Sequence, residues 1–424
     1  MKKLLGTVLL SSILLAGCAA GVKDAAVSDQ AAMPEACDFS MDEKTGSAAY
    51  SMERAAVTGG EPSATTESAA ETDYFDNEPL IYVTFSQYSD SLTADDGTKL
   101  FISQCYVPSF KTQDDAVDDW IAYSVEDAAL QTWGALNLVK ELAETDYQNR
   151  EDGTSADFYT YSYYSNVNTE RLDSKVFSVL QVNSTYCGGA HPNYSQTAYN
   201  VDLTEQTQLS LADVIEPEGA GELLERLLEE LQRRLNNLKN FGLLPDYQET
   251  IESYFSDPEL TPDWYFNDKG LVIYFNCYDI APYAAGIIKV EFLYDTLVDV
   301  LKPEYFPKTP AGGEGSAMLL DSPGERSVLE VPSEGAYFYI GTEQTIYDLK
   351  IYHLSGWVTE DLPIVGQMVF AANRLTGEEA IEIAQSETAR MPEYLLTFRN
   401  AAGQVCTLAA EADELREITT VIAE

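Results

Sequence analysis

The sequence predicts an α+β protein with a mainly antiparallel sheet and two long helices, followed by a small all-β, sandwich-like C-terminal domain. Three observations lead there. Runs rich in tyrosine and β-branched residues lie on both sides of two stretches whose apolar residues follow a helical period. The order is strands, helix, strands, helix, strands. Beyond a Pro/Gly-rich stretch at 309–316, only short β-like runs remain, at regular spacing.

In chain order, Lys2 and Lys3 precede an apolar segment at 4–15 that is too short to span a bilayer. Leu15-Ala16-Gly17-Cys18 then reads as a lipobox, in which Cys18 is cleaved and lipidated. Acylation anchors a protein to a bilayer without a transmembrane helix. We therefore expect a signal peptide over 1–17 and an extracytoplasmic lipoprotein on the cell membrane. Residues 18–77 are rich in Ala, Ser, Thr, Glu and Gly without a sustained period, which predicts a disordered stalk. As a flexible coil it would reach about 40 Å.

Residues 78–181 read as an α+β subdomain. Leu80 to Phe85 and Lys99 to Val107 are strands separated by Asp95-Asp96-Gly97. Val117, Trp120, Ile121, Val125, Leu136, Val139 and Leu142 mark one face of a helix over about 114–144. Its start is acidic, which suits the positive end of the helix dipole. The aspartates there lack the D-x-D-x-D-G spacing of a calcium loop. Tyr159, Tyr161, Tyr163, Tyr164 and the run 175–182 return to strand chemistry.

Residues 182–307 form the next unit. Strands are expected over 194–203 and 208–211, then a helix over 222–241 striped by Leu223, Leu224, Leu227, Leu228, Leu231, Leu235 and Leu238. That stripe spans under three heptads, so it reads as core rather than zipper. Trp264 to Phe266 and Leu271 to Phe275 make a hairpin around Asn267-Asp268-Lys269-Gly270. A strand at 287–292 and a short helix at 294–301 complete the unit. Residues 308–323 are a linker, and 324–424 the small β domain.

Charge is the strongest compositional signal. The chain holds 70 acidic and 25 basic residues, for a net charge of −45. Removing Lys2 and Lys3 with the signal peptide gives 23 − 70 = −47. Nucleic-acid binding needs the opposite surplus and is excluded as a function class. Cationic partners, or simple solubility on a cell surface, fit the sign. Beyond Cys18, five cysteines remain, and none forms a C-x-x-C motif. Cys187 and Cys277 each precede a motif-like segment, so a disulfide between them and two small buried thiols are both compatible with an exported chain.

Gly188-Gly189-Ala190-His191, Asn200-Val201-Asp202-Leu203 and Leu209-Ser210-Leu211-Ala212-Asp213-Val214 resemble the first half of a bacterial domain-of-unknown-function family numbered 3298. Tyr278-Asp279-Ile280-Ala281-Pro282-Tyr283-Ala284-Ala285-Gly286 resembles its second half. With residues 78–181 as a looser match to the usual N-terminal partner, the resemblance covers roughly 78–302. Such domains occur in the ectodomain of a lysozyme-sensing anti-sigma factor and beside a peptidoglycan deacetylase. The resemblance thus implies a lysozyme-like protein or peptidoglycan as ligand. One departure is visible: the turn Thr204-Glu205-Gln206-Thr207 lacks the glycine usual after the Asp-Leu strand.

The chain has two histidines, His191 and His353, which fall in different units. A nucleophilic or metal mechanism would need a base with an orienter, or three to four ligands. No G-x-S-x-G, H-E-x-x-H, P-loop or G-x-G-x-x-G occurs. We therefore expect a non-enzymatic binding protein without cofactor or metal. Its ligand-contact candidates are Gly188, Gly189, His191 and Asn193 in one loop, with Pro282 and Tyr283 in another, the two loops being neighbours in space. Two alternatives stand beside it. One is a cell-wall hydrolase or esterase using His191 with a nearby carboxylate. The other is an accessory or spacer protein whose C-terminal β domain binds.

Overall fold

The computed structural model describes residues 79–112, 114–150, 158–238, 241–257, 261–308, 315–359, 362–385, 391–411 and 413–423. The signal peptide, Cys18, Cys37 and the stalk lie outside the described residues, as does most of the 309–316 stretch.

β1 (Tyr82–Thr93) and β2 (Lys99–Lys111) form the first hairpin. Gly97 closes its turn at φ 89°, where a side chain would be strained. α1 (Asp115–Asn149) follows, with the Asp114 carboxylate accepting from Ala116 N at 2.9 Å. β3 (Tyr161–Leu172) then lies parallel to β2, as a helical crossover allows. β4 (Val176–Tyr186), β5 (Asn193–Asp202) and β6 (Thr207–Gln208) continue antiparallel. The glycine-free turn before β6 is built by Gln206 at φ 50° and by Asp202 Oδ1, which accepts from Thr204 N and Glu205 N.

α2 (Leu211–Val214) starts at a Ser210/Asp213 capping box. α3 (Gly219–Asn237) buries Leu223, Leu227 and Leu231. α4 (Tyr247–Ser256), which the sequence reading did not anticipate, buries Tyr247 and Ile251. β7 (Asp263–Phe266), β8 (Gly270–Phe275) and β9 (Ile288–Leu293) make a three-stranded antiparallel sheet. β8 is buried on both faces, and its alternation shows why. Leu271, Ile273 and Phe275 pack towards α3 and α4, whereas Val272 and Tyr274 pack on Leu180 of β4. The small sheet is thus the middle layer between the helices and the large sheet.

The helix expected over 294–301 is a correction. Only a 3-10 turn, Tyr294–Thr296, forms there. Glu216 N donates to Val300 O and Lys302 N to Val214 O, so an Ile215–Leu301 bridge pulls the segment out of helical register.

The C-terminal strands are β10 (Ala317–Leu320), β11 (Ser327–Glu330), β12 (Ala336–Thr342), β13 (Ile346–Thr359) and β14 (Leu362–Leu375). β15 (Glu379–Gln385), β16 (Tyr394–Asn400), β17 (Val405–Ala410), β18 (Leu415–Glu417) and β19 (Ile422–Ala423) follow. β10, β12, β15 and β11 form a four-stranded sheet. The other C-terminal strands join the N-terminal ones in a 12-stranded sheet, ordered β18-β17-β16-β13-β14-β1-β2-β3-β4-β5-β6 with β19 beside β14. The junction is β14 on β1, Tyr82 opposite Ala372. It pairs the edge that β1 would otherwise leave open. Two sheets do face each other around Phe338, Ile340, Ile351, Phe370, Ile381 and Leu396, but one of them extends into the N-terminal half. The architecture is sheet-rich α+β.

Candidate functional site

The loop between β4 and β5 is a tight reversal. Gly188 sits at φ 80°, and a Cβ there would meet the Tyr161 ring at 3.1 Å. Tyr186 Oη donates to Gly189 O at 3.0 Å, which holds the turn from the strand side. Ala190 and His191 lie exposed at the tip, with Pro192 and Asn193 half-buried behind them.

The loop after β8 comes to the same place. Asn276 ties it down by accepting from Gln196 N at 2.7 Å and donating to Gln196 O at 3.1 Å. Asn276 N in turn donates to Asp279 Oδ2 at 2.7 Å. Tyr278 is held at φ 74°, a conformation costly for a residue with a Cβ. Pro282 is exposed, and Tyr283 to Ala285 form a 3-10 turn that ends at Gly286, φ 68°.

His191 and Tyr283 meet face to face, ring centroids 3.8 Å apart at 20°. The Tyr283 hydroxyl donates to Pro192 O. Tyr194 stacks at 6.4 Å and Tyr278 at 5.9 Å from the same ring. Four rings, three from the two loops and Tyr194 from the start of β5, thus form one surface cluster, of which Tyr278 is 59% exposed. Gly188 and Gly189 shape the first loop rather than contribute to the ring surface. Asn193 pairs with Thr185 in the ladder, and Pro282 caps the turn that presents Tyr283.

Asn276 also brings two carboxylates together, Asp263 and Asp279. Desolvation by the residues packed around it, with the Asp279 charge nearby, pushes Asp263 up to about 7 although the residue is exposed at the surface. Burial raises Asp279 too. Asn276 bridges them, its Nδ2 lying 3.3 Å from Asp263 Oδ2.

His191 Nδ1 lies 2.9 Å from Pro192 O, so the Nδ1–H tautomer donates to that carbonyl. Among the described residues, no carboxylate or hydroxyl is within hydrogen-bond reach of the imidazole. His353 lies exposed on β13, edge-on to Tyr394 at 5.6 Å and far along the chain. No disulfide joins Cys187 and Cys277. The half-buried Cys277 thiol is raised by desolvation. No group of three or more His, Cys, Asp and Glu suited to a metal occurs among the described residues.

Sequence reasoning named both loops but missed Tyr194, Asp263 and the role of Tyr278. Tyr278 lies inside the Tyr278–Gly286 motif, and an aromatic beside Asp in a Gly/Pro loop was the available signal. Asp263 is 16 residues from Asp279 (279 − 263), across a hairpin, and nothing in the sequence pairs them.

Residues 212–295 match the family described as protein of unknown function, DUF3298. The match takes in the Tyr278–Gly286 motif and leaves Gly188 to His191 outside it. Among solved structures, the chain is similar to a DUF3298 family member from Bacteroides fragilis, with 19% identity and a TM-score of 0.37. That similarity covers 52% of this chain and 94% of the other. A DUF3298 family protein from Pseudomonas aeruginosa is similar at 18% identity, with 53% and 96% covered and a TM-score of 0.37. No curated protein matches.

Proposed function

We propose that the protein is a lipoprotein, tethered through Cys18 outside the cytoplasmic membrane, that binds a cationic extracellular protein at the ring cluster of His191, Tyr194, Tyr278 and Tyr283. The observation that carries this reading is Tyr278. An exposed aromatic residue is kept in a strained conformation, and local strain of that kind collects where a ligand is held. A Lys or Arg of a partner would lie over the ring faces. The charge of −45 would steer such a partner in. The resemblance noted above supplies the class, a lysozyme-like protein, and the pairing of residues 78–181 with 182–307 as its sensing ectodomain.

A second reading is a cell-wall glycan, favoured by the exposed ring faces, which offer flat apolar platforms to a sugar. The hydrolase reading asks for a carboxylate or serine on His191, and the imidazole is engaged by a carbonyl and a ring instead.

The test is titration of the purified protein with lysozyme and with peptidoglycan fragments at low and physiological salt. Saturable lysozyme binding that survives physiological salt and weakens in His191→Ala and Tyr278→Ala supports the proposal. Binding to peptidoglycan alone moves it to the glycan reading. Binding to neither overturns both. Release of a Cys18→Ser chain from the membrane fraction checks the anchor.

A further inference from the structure

A second site lies away from the ring cluster, where the C-terminal strands meet the turn of the β7–β8 hairpin. A cavity of about 160 Å³ opens there. Five basic and four acidic side chains line it, a local excess of positive charge in a chain with 25 basic against 70 acidic residues.

The strand register explains how the cations converge. Arg374 of β14 lies opposite Tyr347 of β13, which lies opposite Arg399 of β16. The three form one lateral row, so both guanidiniums stand on the same face, two strand spacings or about 10 Å apart at the backbone. Arg171, near the end of β3, and Lys175, in the β3–β4 turn, line the same cavity.

Most of these charges are engaged. Arg171 pairs with Asp173 at 2.7 Å and donates to Tyr305 O at 2.6 Å. Lys175 pairs with Asp202 at 2.6 Å. Arg399 pairs with Asp348 at 3.0 Å. Asp268 has both oxygens on Lys350 at 2.9 Å. Arg374 is the exception. Among the described residues it makes no salt bridge, and its Nε is shut off from solvent with no hydrogen-bond partner. A buried donor without an acceptor costs about 1–3 kcal/mol, more for a charged group. A guanidinium fork fits a carboxylate or phosphate two-pronged.

We propose that this cavity binds a small molecule bearing a carboxylate or phosphate group, held by Arg374 with Arg399 beside it. The site is separate from the ring cluster and does not depend on what binds there. Its size admits a small metabolite-like anion rather than a polymer.

The experiment is titration calorimetry and thermal unfolding of the full chain with inorganic phosphate and with citrate, against chloride at matched ionic strength. The expected result is saturable binding of one anion and a midpoint that climbs with its concentration, as ligand binding to the folded state requires. Arg374→Gln should weaken that binding tenfold or more, and Arg374→Lys should weaken it less, with each variant's unfolding midpoint in chloride reporting its fold. Phosphate binding alone assigns a phosphate ligand, and citrate binding alone a carboxylate. An unfolded Arg374→Gln leaves Arg374→Lys to decide, by a weakened or an unchanged affinity. No saturation beyond chloride, or unchanged affinity in the folded variants, overturns the proposal.

Discussion

The Lys350 ammonium, on β13, sits 2.9 Å from both oxygens of Asp268, which occupies the turn between β7 and β8. It also donates to Glu170 O at 3.0 Å. The pair therefore clamps the small middle sheet onto a C-terminal strand. Lys350 is buried, and the Asp268 charge and hydrogen bonds outweigh the desolvation that would otherwise favour the neutral amine.

Asp268→Asn should leave that ammonium buried without its counter-charge. Breaking a buried pair this way costs roughly 3–5 kcal/mol, and the exposed edge of Asp268 places the loss near the lower end. Lys350→Met should cost less, because water can reach Asp268. The double variant should cost less than the sum of the two, which urea unfolding of all four proteins would read. Additive losses would mean that the two side chains do not act as a pair.

Glycine positions give an opposed pair of outcomes. A Cβ on Gly270 would stand 1.8 Å from Phe292 O, inside the β8–β9 ladder. Gly270→Ala should therefore destabilise by more than about 3 kcal/mol or prevent folding, since backbone must move. Gly134 is exposed on α1 with nothing near its missing Cβ. Gly134→Ala should stabilise by about 0.5–1 kcal/mol. Thermal unfolding compares them directly.

Much of the fold was legible because its elements are long and periodic. The 114–144 helix appears as α1, and the leucine stripe of 222–241 appears within α3. α4 was not read because ten residues with two buried positions make a weak stripe. The shared 12-stranded sheet was hidden for a different reason. Tyr82 of β1 and its partner Ala372 of β14 are 290 positions apart (372 − 82), and strand patterns record which face is buried, not which edge is paired. The same limit hid the Arg374–Tyr347–Arg399 row. In contrast, His191 and Tyr283 could be named because each sits in a compact glycine- and proline-marked loop.

Asp263 should titrate near neutrality. Its carboxyl is raised to about 7 by desolvation and by Asp279, while Asn276 opposes the shift. An acid whose folded pKa exceeds its unfolded value of about 3.9 binds a proton on folding between those limits. Stability from this group is therefore fully present below about pH 4 and is lost as pH rises through about 7. Asp263→Asn should flatten that segment of the stability–pH curve, measured by urea unfolding from pH 5 to pH 8. An unchanged slope would show that Asp263 is not the titrating group.

Tyr278 separates stability from binding. Its φ of 74° costs roughly 1–2 kcal/mol relative to a glycine, while its ring is mostly exposed and touches Tyr283 at 5.9 Å. Tyr278→Gly should relieve the strain and lose little packing, so stability should hold or rise by about 1 kcal/mol. If the ring cluster is the docking surface, the same change should weaken capture of a cationic protein such as lysozyme at least tenfold. Tyr283→Phe is the counterpart: it keeps the ring but removes the hydrogen bond to Pro192 O that holds the two loops together. It should cost about 1 kcal/mol of stability and reduce affinity less than loss of Tyr278. Urea unfolding and lysozyme titration on the two variants give both readouts. A Tyr278→Gly protein that unfolds more easily yet binds as before would make Tyr278 a structural residue and remove the ring cluster from the proposed function.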